Sequence, residues 1–345
     1  MKSKWSAAFQ IAAVYVGTVV GAGFATGKEI LEFFSRFGFF GFIGILISGL
    51  LLIFLGSKLL RLSAKVGAHS YQEFNEYLFG HFFGRLINIM TLLMLLGVCA
   101  VMLSGAGAVF QEQLNLPKTV GLIVTICLSI LVLLIGMRGL FVVNIFVVPL
   151  MISFSIFLMF KSVQLPQFTE QLMYIPHIAD GWKAVVTPFS YAAFNLFLAQ
   201  AVLVPVATEI QDDDTVKWGG MLGGIALTLI LLCGHFVLIM LPQVETYEVP
   251  MAIIVKNIAS GLYWIYVFII YGEIFTSVIG NVFGLERQLR NYLSLPSIAI
   301  ICCIFISTYF ISLVEYGELL SYLYPLFGYF SLVFIILLWM KPLKE

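Results

Sequence analysis

Apolar runs separated by short polar interruptions extend along almost the whole chain. Read as membrane-spanning helices, they fall at about 7–26, 39–60, 86–110, 119–137, 140–160, 184–208, 217–241, 251–283, 295–314 and 317–340. Each approaches or exceeds the roughly 20 residues needed to cross a ~30 Å hydrocarbon core. The pattern predicts an all-α integral membrane protein of ten transmembrane helices. The fourth and fifth spans are divided only by GMRGL at 136–140, and the eighth is long enough to tilt or protrude. Lys2 and Lys4 precede the first run as in a signal peptide. That run continues without an A-x-A cleavage pattern, so it reads as an uncleaved span.

Composition agrees. Hydrophobic residues make up 61% of the chain and charged ones 10%, against about 25% charged in soluble domains. No stretch is left for a separate soluble domain, so the expected unit is a single transmembrane domain over 1–345. An even number of spans puts both termini on one side of the membrane. Twelve basic residues fall on that side (Lys2, Lys4, Lys58, Arg61, Lys65, Arg85, Arg138, Lys217, Arg287, Arg290, Lys341, Lys344) and six on the other (Lys28, Arg36, Lys118, Lys161, Lys183, Lys256). The excess predicts cytoplasmic termini in a bacterial inner membrane. The run DDD at 212–214 then reads as a solvated cytoplasmic loop.

The spans divide into two sets of five around KSVQLPQFTEQLMYIPHIADGWK (161–183), which is too polar to cross and reads as a surface helix or an external lid. Because five is odd, the second set starts from the opposite side, so any repeat is inverted. Inverted repeats with interrupted helices at matching positions mark secondary transporters. The first span contains GTVVGAGFATGKE (17–29), with Gly17, Gly21, Gly23 and Gly27. Glycine weakens a helix interior by roughly 1 kcal/mol, and a break inside a bilayer is tolerated only beside protein or water. Bare N–H groups at such a break hold anions, and bare carbonyls hold cations. The competing explanation is close packing, since Gly17-x-x-x-Gly21 and Gly23-x-x-x-Gly27 are both small-xxx-small patterns. The sixth span, TPFSYAAFNLFLAQAVLVPVATE (187–209), has Pro188 and Pro205 near its ends and Asn195 and Gln200 in its middle. A break near 195–198 is expected there, which would let both amides line one cavity.

The eighth span carries FIIYGEIFTSVIGNVFGLERQ (268–288). Glu273 is an intramembrane carboxylate, and Thr276 and Ser277 follow at i+3 and i+4 on the same face. An isolated charge at that depth costs at least ~2.5 kcal/mol, so Glu273 is a candidate proton carrier, ion ligand or partner of a base such as Lys28. The two hydroxyls suit a small hard cation, or alternatively bond their own helix carbonyls. Lys28, Glu29, Arg36, Glu315 and Glu318 read as a solvated rim rather than an ion-pair gate. The five cysteines all lie in apolar segments without zinc spacing. The histidines (His69, His81, His177, His235) are scattered, with His235 a core residue. No enzyme motif is present.

These residues resemble a known architecture. Ten spans in a 5+5 arrangement look like the LeuT fold of the amino acid–polyamine–organocation superfamily, over about 7–340. VGTVVGAGFATGKEILEFFSRFG (16–38) is similar to the opening of the YkvI-like bacterial membrane proteins. The resemblance implies broken first and sixth helices. It also implies a solute carboxylate held at the amides of Ala22 and Gly23, and a sodium site built from carbonyls of Gly17, Val20 and Glu273 with the hydroxyls of Thr276 and Ser277. YAAFNLF (191–197) is loosely similar to the sixth-helix break, with Glu209 following. Phe24 stands where neurotransmitter–sodium symporters carry asparagine, which argues against a second sodium. The third span offers Ser104 and Gly105 but no tyrosine for the solute.

The expected function is secondary transport of an amino acid or related amine, coupled to sodium or to protons, by alternating access. Gly21, Ala22, Gly23, Phe24, Ser104, Phe194, Asn195, Phe197 and Gln200 are the solute candidates. The aromatics among them favour an apolar side chain on the solute. Partners are the bilayer and a small solute rather than nucleic acid, and no cofactor is expected beyond a sodium ion. The alternative is a transporter-like sensor that binds a solute without moving it. An enzyme is not expected.

Overall fold

The computed structural model describes residues 4–135, 137–176, 181–210, 212–241, 244–290 and 292–343, with backbone alone at 135, 137–148 and 245. Lys2, Lys344, His177 and the side chain of Arg138 therefore lie outside the described residues. Helix dominates throughout. The order is α1 (Lys4–Val19), α2 (Ala22–Thr26), α3 (Lys28–Phe33), α4 (Phe39–Val66), α5 (Tyr71–Phe79), α6 (His81–Leu114), α7 (Lys118–Ile135), α8 (Met137–Val163), α9 (Phe168–Met173), α10 (Gly181–Glu209), α11 (Asp213–Leu238), α12 (Pro250–Ile258), α13 (Tyr263–Arg290), α14 (Ser297–Ser312) and α15 (Tyr316–Met340).

Among the described residues, six helical segments are long and apolar enough to cross a bilayer: α4, α6, α10, α11, α13 with the turn before it, and α15. Shorter apolar segments lie in α7, α8 and α14. The chain is a multi-pass membrane protein.

The first span is broken, as its glycines suggest. α1 stops at Val19, and Gly21 is extended (φ −139°, ψ −163°) before α2 begins at Ala22. Gly27, at φ 82°, ends α2 in a left-handed conformation and starts α3. Only glycine adopts that φ without strain.

The sixth span corrects the expectation of a second break. α10 runs as one helix through 195–198, with Pro188 and Pro205 accommodated inside it. The Asn195 side-chain amide donates to the Tyr191 carbonyl one turn back at 3.1 Å, a bond made within the continuous helix. The eighth span also differs. Its expected start at 251 belongs to α12, which opens on Pro250 and ends at Ile258. A short 3-10 turn at Ser260–Leu262 intervenes, and α13 begins at Tyr263. Gly261, next to Ser260, weakens a helix by roughly 1 kcal/mol relative to alanine, whereas Pro250 at the first helical position favours the start of α12. α5, inside an expected loop, begins at a Ser70 cap whose hydroxyl accepts from Glu73 N at 3.3 Å. The connector before α10 includes the short exposed helix α9, pinned by Phe39 N donating to the Tyr174 carbonyl at 3.0 Å.

Close packing is concentrated in α11, which packs against α1 and α4. Gly219 and Gly223 face Ile11 and Tyr15 of α1, while Gly220 and Gly224 face the backbone of Ser57 and Ile53 in α4. Small residues four apart on two adjoining stripes let both helices approach α11 together. α10 packs against α4, α15 and α1, and α6 against α13 and α7. The broken first helix lies between these groups, since α2 touches α6, α12 and α13 while α3 touches α10, α11 and α15.

Candidate functional site

The break between α1 and α2 is the centre of the site. The last carbonyls of a helix lack intrahelical donors. Val16 O is taken by Val20 N at 2.8 Å, so the unpaired carbonyls begin at Gly17. Val20 itself is buried in the break. On the other side, α2 is only five residues long. Its first amide, Ala22 N, is not open: it donates to the Met102 sulfur of α6 at 3.3 Å.

α13 delivers the hydroxyl pair to this break. A Cβ built on Gly21 would lie 3.2 Å from Ser277 Oγ, so glycine is what lets the serine close on the backbone. Thr276 Oγ1 and Ser277 Oγ both donate to the Glu273 carbonyl, at 3.0 and 2.8 Å. That is the local bonding typical of membrane serine and threonine, and it leaves their lone pairs facing outward. Glu273 is 1% exposed, and its Oε1 has no hydrogen-bond partner. Tyr266, one and a half to two turns earlier, donates to the Ala25 carbonyl of α2 at 3.1 Å and ties α13 to the broken helix. The structure thus brings Gly21 of the break against Ser277 of α13, with Thr276 next to Ser277 in the same helix.

A second carboxylate was read as rim and is not. Glu29 of α3 is 3% exposed. The turn at Gly27 folds it back over α2, where a Cβ on Gly23 would meet Glu29 Oε2 at 2.3 Å. The carboxylate faces the Tyr191 hydroxyl and the Asn195 amide of α10. Neither Glu29 Oε1 nor the Tyr191 hydroxyl completes a hydrogen bond. Rings enclose the group: Tyr191 lies 6.4 Å from Phe24, 5.1 Å from Phe33 and 4.8 Å from Phe34, centroid to centroid. Phe194 stacks at an angle on Tyr324 of α15 at 4.7 Å. Phe24 and Asn195 lie around Glu29 and Tyr191, and Phe194 packs on Tyr324; Tyr191 and Tyr324 are not among the solute candidates of the sequence, and Glu29 enters there only as a rim residue.

The remaining candidates fall elsewhere. Ser104 is buried, and its hydroxyl donates to the Val314 carbonyl at 2.9 Å, a tie to the turn before α15. Phe197 packs on Phe334 at 5.3 Å in a cluster with Met90 and Met94. Gln200 is fully buried with both side-chain polar atoms unpaired. Because α10 is unbroken, Gln200 stands about 140° around and ~7.5 Å along the helix from Asn195. The expected convergence of the two amides does not occur.

One end of the site is sealed by a polar layer. Thr26 Oγ1 and the Tyr316 hydroxyl are 2.8 Å apart. Lys28 Nζ donates to the Tyr247 carbonyl at 2.7 Å, and Gly317 N donates to Glu248 Oε2 at 2.5 Å. Glu112 accepts from Glu248 N and Val249 N at 2.8 and 3.0 Å, capping the start of α12. Of the predicted rim residues, Lys28 joins this layer and Glu315 lies 4.0 Å from Lys118 at its edge. Arg36 pairs along its own stretch with Glu32 at 2.6 Å.

A helical membrane protein with an interrupted first helix and buried polar groups beside the interruption has the layout of a transporter fold. The comparison with solved structures bears this out at the level of fold. A manganese transporter of Eremococcus coleocola, crystallised with an aromatic bis-isothiourea substituted compound, superposes with a TM-score of 0.65 at 16% identity, covering 98% of this chain and 80% of that one. The chain belongs to the family of the uncharacterized membrane protein YkvI of Bacillus subtilis (strain 168), with which it is 48% identical over 336 residues, 97% of this chain and 96% of YkvI. The uncharacterized protein YyaD of the same organism is 20% identical over 342 residues, 98% of each chain. No established family model matches the sequence.

Proposed function

We propose that the protein is a secondary transporter that moves a small organic solute, an amino acid or a related amine, by alternating access coupled to a cation, with sodium favoured. The observation that supports this most is the broken first helix, whose extended Gly21 lies against Ser277 on one side and whose continuation carries the buried Glu29 on the other. Irregular backbone at membrane depth is retained where it borders a ligand or water. The ten spans form a 5+5 LeuT-type arrangement in this reading, with both termini cytoplasmic and the Lys28–Glu248 layer on the outer face. The unbroken α10 means that only one of the two symmetry-related helices opens its backbone.

In this proposal Gly17, Val20, Glu273, Thr276 and Ser277 hold the cation, and Gly21, Ala22, Gly23, Phe24, Phe194 and Asn195 border the solute. The fit to sodium rests on donor chemistry: unpaired carbonyls at the end of α1, the Glu273 carbonyl and two hydroxyls are hard oxygens. Bound sodium would supply a fixed positive charge between α1 and α13, so that its binding favours the conformation in which those helices meet. Coupling then equals the difference in sodium affinity between the two conformations. Manganese, the cargo of the solved structural neighbour, is not carried over. Among the described residues no three His, Cys, Asp or Glu side chains converge.

The test is thermal unfolding of the purified protein in sodium or potassium chloride, with a panel of amino acids and amines. Stabilisation by sodium that disappears in Ser277→Ala and Thr276→Ala supports the site. Equal unfolding temperatures in the two salts, in both the presence and absence of solutes, would remove sodium from the account.

A further inference from the structure

Two features on either side of α2 restrict what the site takes. The first is the Glu29 carboxylate, buried beside Tyr191, with Oε1 unpartnered. Among the described residues it joins no lysine or arginine in an ion pair. The nearby ammonium groups are engaged on carbonyls of the polar layer, Lys28 Nζ on Tyr247 O at 2.7 Å and Lys118 Nζ on Val314 O at 2.6 Å. A carboxylate kept from both water and a counter-charge is a standing cost that is relieved by a proton or by a bound cation.

The second feature is Met102. Its sulfur accepts from Ala22 N at 3.3 Å, and Met102 Cε and Sδ both lie 3.6 Å from a Cβ position on Gly21. The thioether occupies the place at the break where a solute carboxylate would meet the first amide. A solute carboxylate there would also lie one short helix away from Glu29, and the two anions would repel.

We infer that the solute is an organic ammonium without a carboxylate, its charged nitrogen bound by Glu29 and Asn195 among the ring faces of Phe24, Tyr191 and Tyr324, with Met102 closing the amide that would select a zwitterion. This deepens the proposed transport reading and rests on it for the location of the site. An ammonium has three N–H donors for the carboxylate, the Tyr191 hydroxyl oxygen and the Asn195 carbonyl oxygen. Ring faces favour an alkylammonium through cation–π attraction, and they accept its apolar tail. A transition metal is poorly served by one carboxylate among phenols.

The experiment compares ligands that differ only by a carboxylate. Isobutylamine is set against valine, and phenethylamine against phenylalanine, by titration calorimetry on the purified full chain, in sodium chloride and separately in potassium chloride, neither of which supplies an organic ammonium. The amines are expected to bind at least about tenfold more tightly than the matching amino acids. Glu29→Gln, nearly the same shape, is expected to weaken amine binding about tenfold or more, the size of a lost charge-assisted hydrogen bond. Met102→Ala is expected to raise the valine-to-isobutylamine affinity ratio about fivefold or more, the worth of one freed amide bond, with Met102→Leu as a packing control.

Valine binding as tightly as isobutylamine, or no amine binding at tens of millimolar, overturns the inference on the wild-type protein alone. So does amine binding that survives Glu29→Gln, or a sodium response that Glu29→Gln abolishes, which would give the carboxylate to the inorganic ion. Binding is read without a gradient or a bilayer. A protein that binds amines but accumulates none would therefore keep this inference and lose the transport reading.

Discussion

Glu29 illustrates what a single residue's neighbours decide. In the sequence it sits in GKEILEF, just past a glycine-rich span, where charges ordinarily mark the membrane edge. The signal that it differs is helical phase. Lys28, Glu32 and Arg36 form an i, i+4 polar stripe, whereas Glu29 shares its face with Phe33, which is 1% exposed. What could not be read was the left-handed turn at Gly27 that folds this face inward. Gly23 follows from the same contact. Gly23→Ala would put a methyl 2.3 Å from Glu29 Oε2 and 2.7 Å from its Cβ, so overpacking should cost roughly 1–3 kcal/mol. The expected result is a lower unfolding temperature together with lost amine binding. An unchanged pair of values would mean that Glu29 does not lie over Gly23.

Asp212 gives a pH prediction at the same scale. It caps α11, accepting from Thr215 N at 3.1 Å and Thr215 Oγ1 at 2.5 Å, with Lys4 3.4 Å away. The Thr215 hydroxyl and amide, then Lys4, hold its carboxyl below the usual range. A depressed acid contributes its stabilisation above the unfolded pKa, near 3.9, and loses it as pH falls through the folded value. Amide exchange in the first turn of α11 should therefore quicken on acidification below about pH 4 relative to a mid-helix reference. Asp212→Asn, which caps without titrating, should abolish that acceleration.

Among the helices, composition and period made the six long apolar spans of the described residues legible, because runs of that length and hydropathy leave few alternatives. The first-helix break was legible too, since four glycines in eleven residues are costly to keep in a regular helix. The sixth helix was not. Asn195, Gln200 and two prolines suggested a break, but alanines and leucines between them favour helix, and Asn195 satisfies itself on Tyr191 O. The split of the eighth span at 259–262 turned on three small residues that a hydropathy window averages away. α11 carries the firmest prediction about packing. Gly220→Leu or Gly224→Leu would place side chains where a Cβ already lies 2.5 or 2.6 Å from the α4 backbone. Backbone cannot step aside, so each variant should cost about 3 kcal/mol or more. Loss of a monodisperse peak in size-exclusion chromatography is expected, and a wild-type profile would contradict the packing.

At the scale of the whole molecule, the proposed alternating access requires the sealed face to open. The Thr26–Tyr316 bond and the Lys28, Glu248 and Gly317 contacts join the broken helix to α15. Tyr316→Phe removes one buried hydrogen bond, worth about 1 kcal/mol, and should shift the closed-to-open ratio about fivefold toward opening on that face. Faster hydrogen exchange of the Gly317 amide, which donates to Glu248 Oε2, in Tyr316→Phe than in the wild type would report this.

The most direct test of the account is solute accumulation by the purified protein in proteoliposomes. Labelled isobutylamine and valine are offered with an inward sodium gradient or with potassium in its place. Accumulation above equilibrium that requires the sodium gradient, and that is lost in Ser277→Ala, is the predicted result. Saturable binding with no accumulation under either condition would contradict transport and leave the protein a solute sensor built on a transporter's frame.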